Sequence, residues 1–198
     1  KKENELLAEH LAWGKAAAKR AGKPASFPPG DPEKKLRVAF LSPDLRTHAV
    51  AFFLEPLLQH LDPTGFEIVL YHNHPVVDTV SERLRSRAAL WRNLVGQTED
   101  SAAGTIRADA VDVLFDLTGH TGFNRTALFA RRLAPVQIAY LGYPNTTGLD
   151  TMDYRFTDGF ADPAGKADSS YTEKLVRFSS TAWAYAPAAT CFFFHCGV

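Results

Sequence analysis

Short apolar segments alternate with helix-like segments from Leu36 onward, and this alternation constrains the fold more than any other feature of the chain. The predicted strands are 36–41, 66–71, 111–117, 136–141, 153–158 and 174–179. The predicted helices between them are 49–61, 80–91, 98–108 and 124–132. Short apolar strands separated by helices favour parallel pairing, with helices on both faces of the sheet. Residues 36–187 are therefore predicted to form a Rossmann-like, doubly wound α/β domain.

The residues before this domain follow a different pattern. Apolar residues at helical spacing predict an amphipathic helix over 3–20, within a connecting segment that we assign to residues 1–22. Residues 23–35 contain four prolines and a glycine, so they are predicted to be a linker. The apolar stretch 188–198 has no partner pattern and is predicted to be an aberrant or disordered tail. Both ends look cut, which suggests a fragment of a longer protein.

Charge and composition disfavour several classes of protein. The 22 basic and 22 acidic residues give a formal net charge of zero, which disfavours a nucleic-acid binder. A hydrophobic share of 45% supports a core and excludes a wholly disordered chain. No apolar run approaches the roughly 18 residues that cross a bilayer, and the charged N-terminus does not resemble a secretory signal. We therefore expect neither nucleic-acid nor membrane partners.

The two cysteines of the chain, Cys191 and Cys196, both lie in its last eight residues. Together with His195 they supply at most three metal ligands, whereas closed structural zinc sites use about four. The sequence thus predicts neither a disulfide framework nor a metal site in the folded body. This cysteine usage favours a reducing, cytoplasmic setting.

Polar residues and glycines follow four of the predicted strands. Ligands bind beyond the carboxyl ends of the strands in an open parallel sheet, so these loops form the candidate site. By strand, the residues are Ser42, Asp44, Arg46, Thr47 and His48; His72, Asn73 and His74; Thr118, Gly119, His120 and Thr121, with Asp116 at the end of the strand itself; and Gly142, Tyr143, Pro144, Asn145, Thr146 and Thr147. Four such loops at one edge exceed what the fold alone requires.

Several of these residues also have a purely structural explanation. Asp44 suits the capping of a turn. His48 begins a predicted helix, where its ring can bond a loop carbonyl or act as a neutral base. His120 lies in a tight turn, and the sequence does not decide whether its side chain faces solvent or a ligand. The small residues of the fourth loop either shape a turn or let a substrate approach the backbone. We expect His72 and His74 in a solvated loop.

Three common motifs of α/β enzymes are missing from the sequence. No Gly-x-Gly-x-x-Gly follows the first strand and no Walker A motif occurs, which disfavours a dinucleotide-dependent dehydrogenase and a P-loop NTPase. No Gly-x-Ser-x-Gly elbow occurs either, which disfavours an α/β-hydrolase.

The same loops carry a resemblance to a known family. SPDLRTH, LFDLTGHTGFNR, APVQIAYLGYP with MDY after it, and YTEKLVRF occur in the order found in protein O-GlcNAc transferases. The chain resembles the bacterial tetratricopeptide-repeat type and the SPINDLY-like relatives. The resemblance runs from about Leu36 to Pro187.

The resemblance implies one lobe of a GT-B glycosyltransferase, in which a cleft separates two Rossmann-like lobes. It further implies UDP-GlcNAc as the donor, Ser or Thr hydroxyls of proteins as acceptors, and no metal or other cofactor. A tetratricopeptide superhelix presents the acceptor in this family, and EHLAW in the first helix fits the segment that joins it to the lobe.

The resemblance also implies roles for individual residues. His48 matches the histidine near the reacting centre and is the predicted catalytic residue, either a base or a group that orients the hydroxyl. The predicted substrate-binding residues are Asp44, Asp116, Gly119, His120, Thr121, Gly142, Tyr143, Pro144 and Thr146, with Gly148 in the same loop.

The sequence departs from the family pattern at three places. Leu45 stands where phenylalanine is usual. Asn145 replaces a usual glycine, which would tighten the turn or require a left-handed asparagine. The second lobe, which supplies most nucleotide contacts in the family, is missing. We therefore expect negligible turnover and weak or no UDP-GlcNAc binding by this chain alone.

Two other hypotheses remain open on the sequence. The chain could be a non-enzymatic interaction module or a gene remnant that self-associates through an exposed cleft face. It could also be a flavodoxin-like domain, such as a phosphorylation receiver, in which Asp44 and Asp116 loosely imitate the acidic site.

Overall fold

A parallel sheet of seven strands forms the centre of the residues that the computed structural model describes, which are 3–31 and 33–185. The strands are β1 (Leu36–Ser42), β2 (Phe66–His72), β3 (Leu90–Asn93), β4 (Val113–Asp116), β5 (Val136–Ala139), β6 (Tyr154–Asp158) and β7 (Lys174–Phe178). Their order is β3-β2-β1-β4-β5-β6-β7, and every neighbouring pair is parallel. The predicted Rossmann-like sheet is confirmed. The flavodoxin-like hypothesis is wrong, because that fold begins with the order 2-1-3.

Helices cover both faces of this sheet. The α-helices are α1 (Glu3–Ala21), α2 (Ala49–His60), α3 (Thr79–Arg85) and α4 (Glu99–Ala108), and a 3₁₀ helix spans Thr126–Arg131. One apolar cluster joins α1, α4 and the 3₁₀ helix to the sheet, and a second joins α2 and α3 to the opposite face. None of the helices within the described residues is both long enough and apolar enough to cross a membrane.

The side chains of β1 show how one strand serves both clusters. Val38 and Phe40 belong to the cluster under α2 and α3, whereas Ala39 and Leu41 belong to the cluster under α1 and α4. All four are buried. Since successive strand residues point to opposite faces, a strand buried on both sides has to be apolar throughout.

The helix predicted over 80–91 is wrong in its second half. The helix α3 ends at Arg85, and Leu90–Asn93 forms β3 beside β2. The backbone N–H of Ala89 donates to the carbonyl of Ile68 at the start of this pairing. Leu90–Asn93 thus pairs with the edge of β2, because this pairing satisfies backbone N–H and C=O groups of β2 that would otherwise lack a partner.

One other helix also differs from the prediction. The segment predicted as an α-helix over 124–132 is the 3₁₀ helix Thr126–Arg131. The helix predicted over 49–61 is confirmed as α2, which runs through Pro56. The helix over 98–108 is confirmed, with the Thr98 hydroxyl accepting from the Ser101 N–H at 3.2 Å. The predicted tail, including Cys191 and Cys196, lies outside the described residues.

Candidate functional site

Three loops leave the sheet side by side at the carboxyl ends of β1, β4 and β5. Leu41 of β1 pairs with Asp116 of β4, which pairs in turn with Ala139 of β5. We name the segments that follow the β1 loop (residues 43–48), the β4 loop (117–125) and the β5 loop (140–150). The strand order reverses between β1 and β4, which is where open α/β sheets bind ligands. The predicted convergence of these loops is confirmed.

His48 of the β1 loop forms the N-cap of α2. Its backbone is extended, and its Nδ1 accepts a hydrogen bond from the Val50 N–H at 3.2 Å. The side chain is 39% exposed, and Nε2 lies 3.7 Å from Oδ1 of Asp44. The ring is therefore held at one nitrogen and accessible from the other.

This capping bond defines which proton the neutral ring carries. A nitrogen that accepts a hydrogen bond bears no proton, so the neutral His48 ring holds its proton at Nε2. In this geometry His48 offers an N–H donor at the sheet edge rather than a lone pair. Of the two roles predicted for it, orientation by hydrogen bonding fits the structure better than abstraction of a proton.

Asp78 and Ser81 at the start of α3 hold the backbone of the β1 loop. The Thr47 N–H donates to the Asp78 carboxylate at 2.8 Å, and the Ser81 hydroxyl donates to the Leu45 carbonyl at 2.7 Å. Although burial favours the neutral acid, hydrogen bonds from Thr47 and Ser81 keep the pKa of Asp78 well below its usual range. Leu45, which stands where the family usually has phenylalanine, is fully buried. This departure from the family pattern therefore concerns packing in the core.

Asp116 lies at the end of β4 and organises the β4 loop from within. One carboxylate oxygen accepts from the N–H groups of Thr118 and Gly119, and the other lies 2.8 Å from the Thr126 hydroxyl. The residue is 1% exposed, and burial raises the pKa of its carboxyl group. These contacts give Asp116 a structural role in the loop. Its predicted contact with substrate stays a prediction.

The β5 loop begins with an unusual backbone conformation. Leu141 has φ +73°, a left-handed value that is costly for a branched side chain. A Cβ atom on the next residue, Gly142, would lie 1.9 Å from the carbonyl oxygen of Leu117. The β4 and β5 loops therefore meet backbone to backbone, and only glycine fits at this point.

Glu173 and Arg155 hold the β5 loop from the sheet side, and neither is among the predicted site residues. The buried Glu173 carboxylate accepts from the Thr146 hydroxyl and from the Thr147 N–H, both at 2.7 Å. The buried Arg155 side chain donates to the Tyr143 carbonyl at 2.8 Å. Glu173 belongs to the YTEKLVRF motif of the family resemblance, but its burial beneath another loop is a tertiary property that the motif does not show.

The helix α1 fixes the same loop from the opposite side. Nε2 of His10 lies 2.8 Å from the Tyr143 hydroxyl, and Nδ1 lies 2.7 Å from the Leu6 carbonyl. Trp13 meets the ring of His120 edge-on, with 4.4 Å between centroids. We name His10, Trp13, His120 and Tyr143 the ring cluster.

His120 is half-buried and packs against α1 and the β5 loop, and its predicted contact with substrate stays a prediction. Its Nε2 donates to the Thr147 carbonyl at 2.9 Å, and its ring lies 4.8 Å from that of His10 and 5.3 Å from that of Tyr143. Burial lowers the pKa of the His120 imidazole, and the bond to Thr147 only partly opposes this effect.

The remaining predicted site residues differ in their burial and in their surroundings. Thr146 is fully buried, Thr121 is exposed with its hydroxyl 3.2 Å from the Thr118 carbonyl, and Gly119 has φ +56°. Pro144 lines a cavity of about 410 Å³ that also borders α1 and the segment after β6. The roles predicted for these residues stay predictions.

The structure bears on two expectations about neighbouring residues. Of the two alternatives for Asn145, the left-handed asparagine is wrong, because Asn145 does not have a positive φ. Its side-chain oxygen instead accepts from the Thr146 N–H at 2.8 Å, which fits the alternative of a tighter turn. His72 does not lie in a solvated loop. It is fully buried at the end of β2, with its ring 5.2 Å from that of Trp91, because β3 covers it.

The sheet order and the loops at its switch point define a Rossmann-like lobe with a ligand-facing edge. Residues 21–188 match the family described as glycosyl transferase family 41, and the chain belongs to this family.

Individual relatives agree with this assignment. A Solanum lycopersicum protein described as a probable UDP-N-acetylglucosamine--peptide N-acetylglucosaminyltransferase SPINDLY is 38% identical over 191 residues, which are 94% of this chain and 20% of the relative. An Arabidopsis thaliana protein of the same description is 36% identical, over 94% of this chain and 21% of the relative. The chain thus spans about one fifth of the length of these relatives.

A solved structure supports the same family. It is that of a Thermobaculum terrenum O-GlcNAc transferase variant, and it superposes with a TM-score of 0.89 at 36% sequence identity. The match covers 96% of this chain and 36% of that chain. The resemblance inferred from the motifs is therefore confirmed.

Proposed function

We propose that this chain is the N-terminal catalytic lobe of a protein O-GlcNAc transferase, which transfers GlcNAc from UDP-GlcNAc to Ser or Thr hydroxyls. The observation that carries the proposal is the family match over residues 21–188, combined with the accessible His48 at the switch point of the sheet. The β5 loop supplies the neighbouring wall of the same cleft.

In the proposed reaction, the acceptor hydroxyl oxygen forms a bond to the anomeric carbon of the sugar. The bond from that carbon to the diphosphate oxygen breaks, UDP leaves with the electron pair, and the hydroxyl proton passes to a base or to solvent. His48 contributes its Nε2–H as a donor to an oxygen of the substrates. A single donor placed at developing charge is worth about 10²-fold in rate.

The β5 loop contributes rigidity to this scheme. Tyr143 and Thr147 are held from opposite sides by His10 and Glu173, so the loop does not have to be ordered when substrates bind. Holding reactants in place contributes to rate by removing the entropy of alignment from the barrier. The diphosphate contacts belong, in this proposal, to a second lobe.

Finer features of the proposal come from the resemblance. We infer that α1 joins this lobe to tetratricopeptide repeats that present the protein acceptor, and that the enzyme acts in the cytoplasm. Reconstitution of the repeats on α1, followed by comparison of acceptor turnover with and without them, tests the first of these inferences.

A chimera tests the proposed function. Residues 3–185 replace the matching segment of the Thermobaculum terrenum O-GlcNAc transferase, and transfer from radiolabelled UDP-GlcNAc to an acceptor peptide is measured. We expect turnover above that of the bacterial enzyme lacking this lobe. A folded chimera without turnover on UDP-GlcNAc contradicts the proposal, and turnover only on another nucleotide sugar contradicts the assigned donor.

Calorimetry on the 198-residue chain tests the proposal that a second lobe, rather than this one, binds the diphosphate of the donor. We expect weak or no heat of binding for UDP-GlcNAc, because the diphosphate contacts lie outside the chain in this proposal. Tight binding by the chain alone would refute that assignment.

A second candidate function is a non-enzymatic interaction module. The observations that favour it are Phe123, which is 67% exposed in the β4 loop, and Phe160, which is 89% exposed just after β6. Both lie in segments that follow strands at the candidate edge, where a partner or a second copy could cover them. A concentration-dependent dimer in size-exclusion chromatography that Phe160→Ser and Phe123→Ser abolish would support self-association. A monomer at all concentrations would count against it.

A further inference from the structure

We infer that α1 positions the β5 loop for sugar transfer, with His10 and Gly14 as the positioning residues. The mechanical part of this inference stands on the contacts between α1 and the loop. The catalytic part rests on the proposed function.

The first contact is a backbone interlock between two glycines. A Cβ atom on Gly14 would lie 1.8 Å from the carbonyl oxygen of Gly148, and a Cβ atom on Gly148 would lie 2.2 Å from that of His10. Gly148 also has φ +75°, which L side chains rarely adopt. The helix and the loop therefore touch without any side chain between them, so a shift of α1 has to be transmitted to the loop.

The second contact orients the tyrosine of the loop. The Leu6 carbonyl only accepts hydrogen bonds, so Nδ1 of His10 carries the proton of the neutral ring and Nε2 accepts from the Tyr143 hydroxyl. Tyr143 thus directs its hydroxyl to α1 and its backbone carbonyl to Arg155. His10 itself is 6% exposed, so this hydrogen bond is shielded from competing water.

The third contact closes the ring cluster around the loop. His120, from the β4 loop, lies between Trp13 of α1 and Tyr143, and it donates to the Thr147 carbonyl. One cluster therefore contacts α1, the β4 loop and the β5 loop at once. The sheet side of the β5 loop is already fixed by Glu173, so α1 supplies the second of two opposed supports.

Hydrogen exchange on the 198-residue chain tests the mechanical part. His10→Leu removes the acceptor for Tyr143, and we expect amides of residues 142–149 to exchange about fivefold faster, as the loss of one buried hydrogen bond predicts. His10→Gln keeps an acceptor near the position of Nε2 and should restore slow exchange. His60→Leu is the matched control, because Nδ1 of His60 makes the same 2.7 Å contact to a carbonyl four residues earlier, but at the exposed end of α2.

Turnover of the chimera tests the catalytic part. We expect His10→Leu to lower kcat on the order of tenfold, since misplacement of a positioning loop lowers rate more than affinity. The KM for the donor should change less, and His10→Gln should recover most of the rate. In a double-mutant cycle with Tyr143→Phe, the double variant should be no slower than the slower single variant, because both remove the same bond. Tyr143→Phe also serves if His10→Leu fails to fold.

The outcomes separate this inference from the proposed function. Unchanged exchange in residues 142–149 of both His10→Leu and Tyr143→Phe overturns the inference. Faster exchange in these variants with unchanged kcat overturns the catalytic part alone, because α1 then holds the β5 loop without contributing to the rate of sugar transfer. An inactive parent chimera contradicts the proposed function, while the exchange measurement still decides whether α1 positions the loop.

Discussion

The β1 loop and the β5 loop form neighbouring parts of one sheet edge, yet they are built in opposite ways. The β5 loop is anchored by Glu173 and Arg155 from the sheet side and by His10 from α1. The β1 loop is held through its backbone by Asp78 and Ser81, and the side chain of its His48 remains 39% exposed. One loop provides a fixed wall, and the other provides an accessible functional group.

The two loops therefore differ in where their polar groups are used. Glu173 and His10, which support the β5 loop, are buried and hydrogen-bonded to it, so they stabilise its shape but their polar atoms are occupied by these contacts. His48 uses one ring nitrogen for the cap of α2 and keeps the other accessible. Substitutions in the supports of the β5 loop should therefore cost more unfolding free energy than substitutions in the β1 loop.

Gly14→Ala should be the most damaging small substitution. The added Cβ would lie 1.8 Å from the Gly148 carbonyl oxygen, and overpacking of this kind costs about 3 kcal/mol of unfolding free energy. Gly104→Ala in α4 is the control, because nothing lies within 4 Å of its Cβ and helix propensity should stabilise by about 1 kcal/mol. Urea unfolding of both variants is the measurement, and equal effects would disprove the interlock.

Glu173→Gln should come next. An amide cannot accept all the hydrogen bonds that Thr146 and Thr147 donate to the carboxylate, so we expect a loss of about 2 kcal/mol. Asp44→Asn in the β1 loop is the comparison, and it should change stability by less than about 1 kcal/mol, since its ionic contacts are long and partly exposed. If Asp44→Asn were the more destabilising of the two, the contrast between the loops would fail.

The ring cluster should make stability depend on pH in a defined direction. Burial lowers the pKa of His120 below the ordinary 6.5, so the folded chain binds this proton less readily than the unfolded chain. The stability gained by keeping His120 neutral is fully present at pH values above the ordinary pKa of histidine. It is lost as the pH falls from about 7 to about 5. His72, whose pKa burial also lowers, acts with the same sign.

Thermal unfolding over this pH range measures the effect. We expect His120→Gln to flatten the decline, and the double variant with His72→Gln to flatten it further. A decline of unchanged slope in the double variant would show that other groups cause it.

Asn145→Gly should have the smallest effect. Asn145 has a negative φ and one local bond to the Thr146 N–H, so the family's usual glycine gains nothing at this backbone. We expect a loss of about 0.5 kcal/mol from added chain entropy. A stabilising effect in urea unfolding would mean that Asn145 strains the β5 loop.

Local patterns were sufficient to predict most of the sheet. Apolar runs such as those of β1 and β2 are buried on both sides, so their composition alone indicates parallel strands. The short β3 was missed because Ala88 and Trp91 continue the helical spacing of Val80 and Leu84. Only the neighbouring edge of β2 makes Leu90–Asn93 a strand, and that edge is not visible in a local window.

The candidate site was predictable in part for the same reason. Positions after strands follow from topology, so His48 and the β5 loop could be placed at one edge from the sequence. The supports of the loop could not, because Glu173 and His10 lie 26 and 133 residues from their partners Thr147 and Tyr143. Asp116 follows a strand like a ligand-binding residue, yet its carboxylate is enclosed by its own loop.

His48→Asn in the chimera tests whether the accessible Nε2–H of His48 takes part in sugar transfer. Asparagine is as good an N-cap as any residue, so Val50 keeps its acceptor and the unfolding midpoint should not move, while the Nε2–H donor is lost. We predict that kcat/KM for transfer from UDP-GlcNAc falls about 10²-fold, as for removal of one donor at developing charge. A His48→Asn chimera that transfers sugar at the parent rate would contradict the account, because the accessible nitrogen of the β1 loop would then have no part in the reaction.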